Sequence, residues 1–204
     1  MKKFEFTGEV KTVFGVNLKR IRALVRIDLG WTIVKPGDLG GWLEKESNLS
    51  HDGDAWVGGN ARVYGDAWVG GNARVYGDAW VYGNAWVYGN AWVYGNAWVY
   101  GNARVYGDAW VGGNARVCGD AFIFRVEHLL IMGAMGSRNA FTTFFRNKVG
   151  EIKVRCGCFF GRVDEFLRKV EATHGDTKHG MVYRAAVTVA LAQIDTTPVD
   201  GDAP

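Results

Sequence analysis

A six-residue period fills the middle of this chain and restricts its fold more than any other feature. Residues 81–96 read VYGNAWVYGNAWVYGN. Val57, Val63, Val69, Val75, Val81, Val87, Val93, Val99, Val105, Val111 and Val117 share one phase. An Ala stands four residues after each of them and a Gly two residues after, and Asp or Asn always follows that Gly. With the weaker opening word HDGDAW (His51–Trp56), twelve words run unbroken to Phe122. A helix is excluded, because each Gly costs it about 1 kcal/mol relative to Ala. Valine in every word favours strand, and Gly followed by Asn or Asp marks a turn. Each word is therefore a short strand, A-[WR]-V-[YG], and a corner, G-[ND]. Ala and Val lie two apart and share a face. Being small and apolar, they line the inside of a narrow coil. The Trp or Arg, and the Tyr or Gly, face outward.

The words VGGNAR and VYGDAW resemble the hexapeptide repeat [LIV]-[GAED]-x-x-[STAV]-x of left-handed parallel β-helices, with Tyr often in place of the small second residue. The resemblance implies a mainly β fold in which three words make one triangular coil of 18 residues, so that residues 51–122 form about four regular coils. At a strand spacing of about 4.8 Å such a prism stands roughly 19 Å tall. One coil cannot bury its own face, but stacked coils share a continuous core. The resemblance also implies a homotrimer with ligand sites between subunits.

Residues 18 apart then lie above one another. The outer columns are Trp68, Trp86, Arg104, Phe122; Trp56, Arg74, Trp92, Trp110; and Arg62, Trp80, Trp98, Arg116. Tyrosines follow: Tyr64, Tyr82, Tyr100; Tyr88 with Tyr106; Tyr76 with Tyr94. Aromatics at this spacing stack, with Arg over rings as cation–π pairs. So many outward rings also leave apolar patches of the kind that mark interaction sites. Trp68, Trp80, Trp86, Trp92, Trp98, Trp110, Tyr82 and Tyr100 are expected to serve both as ladder and as subunit interface.

Charge separates the chain into parts. Residues 51–122 hold four Arg against six Asp, whereas residues 123–194 hold eleven Lys and Arg against six Asp and Glu. The repeats are thus no polyanion-binding rod, and extended nucleic acid is not an expected partner. The basic C-terminal part attracts phosphate. MKKFEFTGEV lacks the apolar stretch of a secretory signal, and no apolar run is long enough to span a membrane. Cys118, Cys156 and Cys158 form no even framework, so free thiols and a cytoplasmic location are expected.

Residues 1–50 are read as a cap with a degenerate first coil from about residue 30, in which Asn48-Leu49 stand where the Asn-Ala of a further word would fall. Residues 123–194 are read as an α+β module. VEHLLIMG, AFTTFFRN and EIKVRCGCFF are its strands, the last two joined at Lys148-Val149-Gly150. RVDEFLRKVEATHG spaces Val163, Phe166, Leu167 and Val170 as a helix does and stops at Gly175. KHGMVYRAAVTVALAQI is a second helix, and residues 195–204 a disordered tail. GDLGGWLEKESNLS, the GNARVYGDA words and MGSRNAFTTFF…CGCFFGRVDEFLRKVEATHG together resemble a group of uncharacterised solenoid proteins of bacteriophages, prophages and their hosts. That resemblance implies an origin and an architecture, and carries over no catalytic residue.

Candidate chemistry lies outside the repeats. Hexapeptide acyltransferases need a histidine base. His51, His128, His174 and His179 all fall outside words 57–122, so catalysis is not the leading expectation. His51 reads as a polar substitute for Val in the first coil. Corner Asp and Asn are expected to bond backbone rather than metal. Cys156-Gly-Cys158 with His174, and Cys118 if the module folds back, sketches part of a zinc site, with plain packing as the alternative. Ser137, His174 and Asp164 can be drawn as a triad but lack a nucleophile elbow. No metal or cofactor is assigned. IMGAMGSRNAFTTFFR (131–146) carries the strongest chemical signal. Its glycines open backbone N–H groups to an anion, and Ser137, Arg138, Thr142, Thr143 and Arg146 add donors suited to phosphate. A glycine hairpin turn before a Thr-rich strand is the plainer reading. The expected function is non-enzymatic capture of a small phosphorylated ligand, such as a nucleotide signal of host defence. A scaffold docking a host protein is the rival, and an acyltransferase stands third.

Overall fold

The computed structural model describes residues 1–197. Every repeat word forms its two-residue strand, from Trp56–Val57 to Phe122–Ile123, and these stack in parallel ladders on three faces. The first face runs through Leu39–Leu43, Arg62–Val63, Trp80–Val81, Trp98–Val99 and Arg116–Val117. The second holds Trp68–Val69, Trp86–Val87, Arg104–Val105 and Phe122–Ile123, and the third Trp56–Val57, Arg74–Val75, Trp92–Val93 and Trp110–Val111. With the irregular first turn, the solenoid has about five turns. Backbone bonds run from coil to coil, such as Trp80 N–H to Ala97 O at 2.9 Å and Asn84 N–H to Gly101 O at 2.8 Å. Every inward Ala and Val of the words is at most 1% exposed.

The outer columns fall as their spacing requires. Tyr64, Tyr82 and Tyr100 stack at 5.0 Å and nearly parallel, and Tyr88 stacks on Tyr106 at 5.0 Å. Each Arg of the words lies over a Trp: Arg62 on Trp80, Arg74 on Trp92, Arg104 on Trp86 and Arg116 on Trp98, at 4.6–5.4 Å. Corner amides link coils, as in Asn72 to Asn90 at 3.2 Å and Asn90 to Asp108 at 3.1 Å. Tyr82→Ala removes two ring stacks, each worth about 0.5–1.5 kcal/mol. A loss of about 2 kcal/mol is expected in denaturant unfolding, with Tyr82→Phe near neutral.

One column departs from expectation. Tyr76 and Tyr94 swing apart instead of pairing. A Cβ on Gly58 would lie 2.3 Å from the Tyr76 ring, and one on Gly112 would lie 2.2 Å from that of Tyr94. The glycines at both ends of this column leave slots that the rings fill. Tyr76 also meets Trp31 edge-on at 5.8 Å.

The N-terminal cap is an antiparallel pair, Phe4–Val13 with Val16–Ala23, that continues the first face. Two placements differ from the sequence reading. Leu49, not an Ala, fills the core here, bridging Val69 in the Val position. The spacing from Leu49 to Val69 and from Trp42 to Arg62 is 20 residues, two more than in a regular coil. His51 thereby leaves the Val position. Its Nδ1 accepts the Lys3 N–H at 3.1 Å, and its ring stacks on Phe4 at 4.6 Å.

Beyond the last coil, strands Leu129–Met135, Ala140–Arg146, Ile152–Cys156 and Phe159–Arg162 form an antiparallel sheet in chain order. Val126–His128 is a 3-10 turn, so the first of these strands begins later than VEHLLIMG implied. EIKVRCGCFF is not one strand but a hairpin folded at Gly157, whose φ of +56° suits glycine. Helices α1 (Val163–His174) and α2 (Lys178–Gln193) pack on one side of the sheet around Phe144, Val154, Phe166, Tyr183 and Val187. Phe145 points the other way, into the solenoid core. Thr143 Oγ1 accepts the Arg116 N–H at 3.0 Å, capping a donor of the last coil. Asp195–Thr197, expected as disordered tail, lies back on the module: Asp195 N–H reaches Glu127 O at 3.3 Å, and Thr197 O accepts from Arg146 at 2.7 Å. The rest of that stretch, 198–204, falls outside the described residues.

Candidate functional site

Two hairpin ends and two helices enclose a cleft of about 210 Å³ at the far end of the module. Ser137 and Arg138 come from the turn between the first two strands, and Gly157 and Cys158 from the turn between the last two. Lys169, Thr173 and His174 come from the C-terminal half of α1, and Tyr183 from α2. The wall is aromatic. Phe159 meets Phe166 at 5.2 Å, Phe166 meets Tyr183 edge-on at 5.5 Å, and His174 lies 5.6 Å from Tyr183. Burial, with Cys156 beside it, raises the pKa of the Tyr183 phenol, so its hydroxyl stays a donor at neutral pH.

The charge around this cleft is one-sided. No Asp or Glu lines it. Among the described residues, Arg138 and Lys169 have no ion pair. Elsewhere in the module several cations are matched, Arg162 and Arg168 to Asp164, Arg184 to Glu171, and Lys153 to Glu151, at 2.8–3.1 Å, while Arg146 and Arg155 bond only carbonyls. Arg138 and Lys169 stand on the rim of an apolar recess, where field lines concentrate and an anion is drawn.

The five residues singled out in 131–146 do not converge. Ser137 and Arg138 are exposed on the rim. Thr142, Thr143 and Arg146 are at most 1% exposed. Thr142 donates to Cys156 Sγ at 3.2 Å, Thr143 caps the last coil, and Arg146 is held beneath Thr197. The cause is the sheet itself. Neighbouring residues on a strand point to opposite faces, and here helices cover one face and the solenoid the other. Lys169, His174 and Tyr183 complete the rim, and only the fold joins them to Ser137. The helix spacing of 169, 170 and 173 was readable, but not which turn that face would meet.

The other sketched constellations come apart as well. Asp164 is tied to Arg162 and Arg168 and is not among the residues lining the cleft that holds Ser137 and His174. Cys118 is buried in the tyrosine column beside Tyr100, away from Cys156 and Cys158. Among the described residues, no three His, Cys, Asp or Glu come together as metal ligands.

Along the stem the outward rings are half-buried in a single chain. Trp86, Tyr94 and Trp110 are the open ones, at 42%, 40% and 53% exposure, whereas Trp68, Trp80, Trp92, Trp98, Tyr82 and Tyr100 are partly covered by their neighbours. The N-terminal part covers some of them, with Phe14 against Trp80 at 5.6 Å and Trp31 against Trp92 at 6.1 Å.

These features define a parallel β-solenoid protein with a C-terminal sheet-and-helix module. Residues 55–71, 69–83, 73–89, 79–95, 85–101 and 97–113 match the family model described as the YdcK beta solenoid repeat, a description that names a fold repeat and no reaction. No curated protein matches the chain. Among the described residues, no helix is long and apolar enough to cross a membrane.

Proposed function

We propose that this protein binds rather than catalyses, and that its C-terminal cleft captures a small phosphorylated ligand. The observation that carries this reading is the pair of unmatched cations, Arg138 and Lys169, over an aromatic recess without a carboxylate. Phosphate would lie between these cations and the Ser137 hydroxyl, and a base or other ring against Phe159 and Tyr183. At about 210 Å³ the cleft is smaller than the roughly 300–1,000 Å³ usual for small-molecule sites. A mononucleotide fits that scale better than a dinucleotide. Nucleotide signals of host defence, which the phage-type resemblance brings forward, head the ligands to test.

Thermal melting with a panel of linear and cyclic nucleotides tests the proposal. A ligand at 100 times its dissociation constant adds about 2.7 kcal/mol to the native state. For any ligand found, Arg138→Ala is expected to weaken binding about tenfold by calorimetry, with the melting temperature of the free protein unchanged. Full affinity in that variant would remove the cleft from consideration.

The open Trp86, Trp110 and Tyr94, with Trp31 nearby, favour self-association, and a trimer is the assembly the repeat resemblance suggests. Sedimentation equilibrium gives the stoichiometry. A monomer that binds no nucleotide would favour the second reading, in which these rings dock a partner protein.

A further inference from the structure

Arg146 and His128 are the two side chains in the module that are both fully buried and left with unmet hydrogen-bond donors among the described residues. The Arg146 Nη2 donates to Thr197 O at 2.7 Å, while its Nε and Nη1 have no partner. His128 accepts the Phe124 N–H on Nδ1 at 3.4 Å. A neutral imidazole that accepts on one nitrogen carries its proton on the other. The His128 Nε2–H is therefore a donor too, and it has no hydrogen-bond partner. Both groups pack on one ring: His128 meets Phe124 edge-on at 4.1 Å, and the Arg146 guanidinium lies 5.3 Å from its centre. Unmet side-chain donors are thus gathered around Phe124.

The carboxylate facing this cluster is Asp195, and it is heavily used. It accepts from the Thr197 N–H and Oγ1 at 2.9 and 2.5 Å and faces Arg125 at 3.8 Å. Its distance of 3.9 Å from His128 Nε2 is too long for a hydrogen bond. A buried guanidinium holding one neutral carbonyl, with Asp195 acting on it only at a distance and Arg125 opposing, is an incompletely compensated charge. A small anion supplies what the chain does not: lone pairs toward every unmet N–H and a negative charge beside Arg146.

We propose that Arg146 and His128 form an internal site for a small inorganic anion, closed over by Asp195–Thr197. The site joins three separate stretches: Phe124 just past the last coil, Arg146 at the end of its strand, and the segment that follows α2. Its occupant would fasten the module to the end of the solenoid. This site lies apart from the cleft with Arg138 and Lys169, so either proposal can fail without the other.

The test is thermal melting of the full chain in sodium gluconate, with chloride, bromide or phosphate added at fixed ionic strength. A saturable rise of about 3 °C is expected with at least one of these anions. It should vanish in Arg146→Met, which removes the charge and the unmet donors together, and shrink in His128→Gln. A response to phosphate alone would keep the site and assign it the larger anion. An anion response that persists in Arg146→Met would overturn the proposal, since the binding then lies elsewhere. Should that variant not fold, crystals of the unaltered protein soaked in bromide decide. An anomalous peak within bonding distance of Arg146 Nε or Nη1 supports the site, and no peak there with identical melting in every anion sinks it.

Discussion

Gly89→Ala is expected to lower the melting temperature by about 10 °C, and Gly113→Ala by only about 4 °C, although both add the same methyl group at the same place in the word. Both glycines turn a corner in the left-handed region, with φ of +69° and +59°. An L-residue pays about 1–2 kcal/mol for that conformation. The neighbours differ. A Cβ on Gly89 would stand 2.7 Å from the Gly107 nitrogen of the next coil, a backbone atom fixed in its own corner. A Cβ on Gly113 meets nothing within 4 Å. Overpacking against a rigid neighbour adds about 1–3 kcal/mol. The difference between the variants therefore measures the stacking constraint alone, and circular dichroism melts read it directly. Equal losses would mean that the coils yield at their corners and that only backbone conformation demands glycine there.

Acid should destabilise the protein through His128, by on the order of 3 kcal/mol between pH 7 and pH 4. Burial, with Arg146 beside it, holds the pKa of this imidazole down at about 4, against 6.5 for a free histidine. Between those values the unfolded chain takes up a proton that the native state refuses, so stability falls as pH falls, and above pH 6.5 this group no longer changes it. The charged groups facing the ring, Arg146, Arg125, Asp195 and Glu127, are included in that balance. Exposed carboxylates with lowered pKa, such as Asp66 and Asp164, lose their own contributions at lower pH. The comparison that isolates His128 is denaturant unfolding of wild type and His128→Gln across this range at constant anion concentration. The two curves should converge as pH falls, and parallel curves would show that His128 does not set the acid response. Because protonated His128 would hold an anion more tightly, the acid loss should also be smaller in whichever anion raises the melting temperature.

Most of the stem was legible from the chain alone, and the site was not. The inward Ala and Val, the glycine corners and the Arg-on-Trp columns follow from the six-residue word, since strands of the regular coils pair at a fixed separation of 18. Local preference and long-range pairing agree there, so a slip of register would damage every coil at once. Even within the stem, the departures came from broken spacing, as at Leu49 and His51, or from missing side chains, as at Gly58 and Gly112.

The module has no such period. Its strands and helices could be read one at a time, through the spacing of Val163, Phe166, Leu167 and Val170 or the turn at Gly150. How they meet depends on contacts between distant, dissimilar segments. Ser137 and Arg138, singled out in the sequence as phosphate donors, lie exposed at the cleft, but Lys169, His174 and Tyr183 join them only because α1 and α2 cross the sheet where they do. Arg146 was marked for the same site and is instead sealed at the solenoid junction, because the sheet is covered on both faces and Thr197 closes over it. The sequence by itself determined the inside and the outside of the solenoid, because a period places every residue relative to its neighbours. Only the tertiary structure decided which cations stay free and which donors are buried unmet, because those depend on how unlike elements pack and not on any repeat.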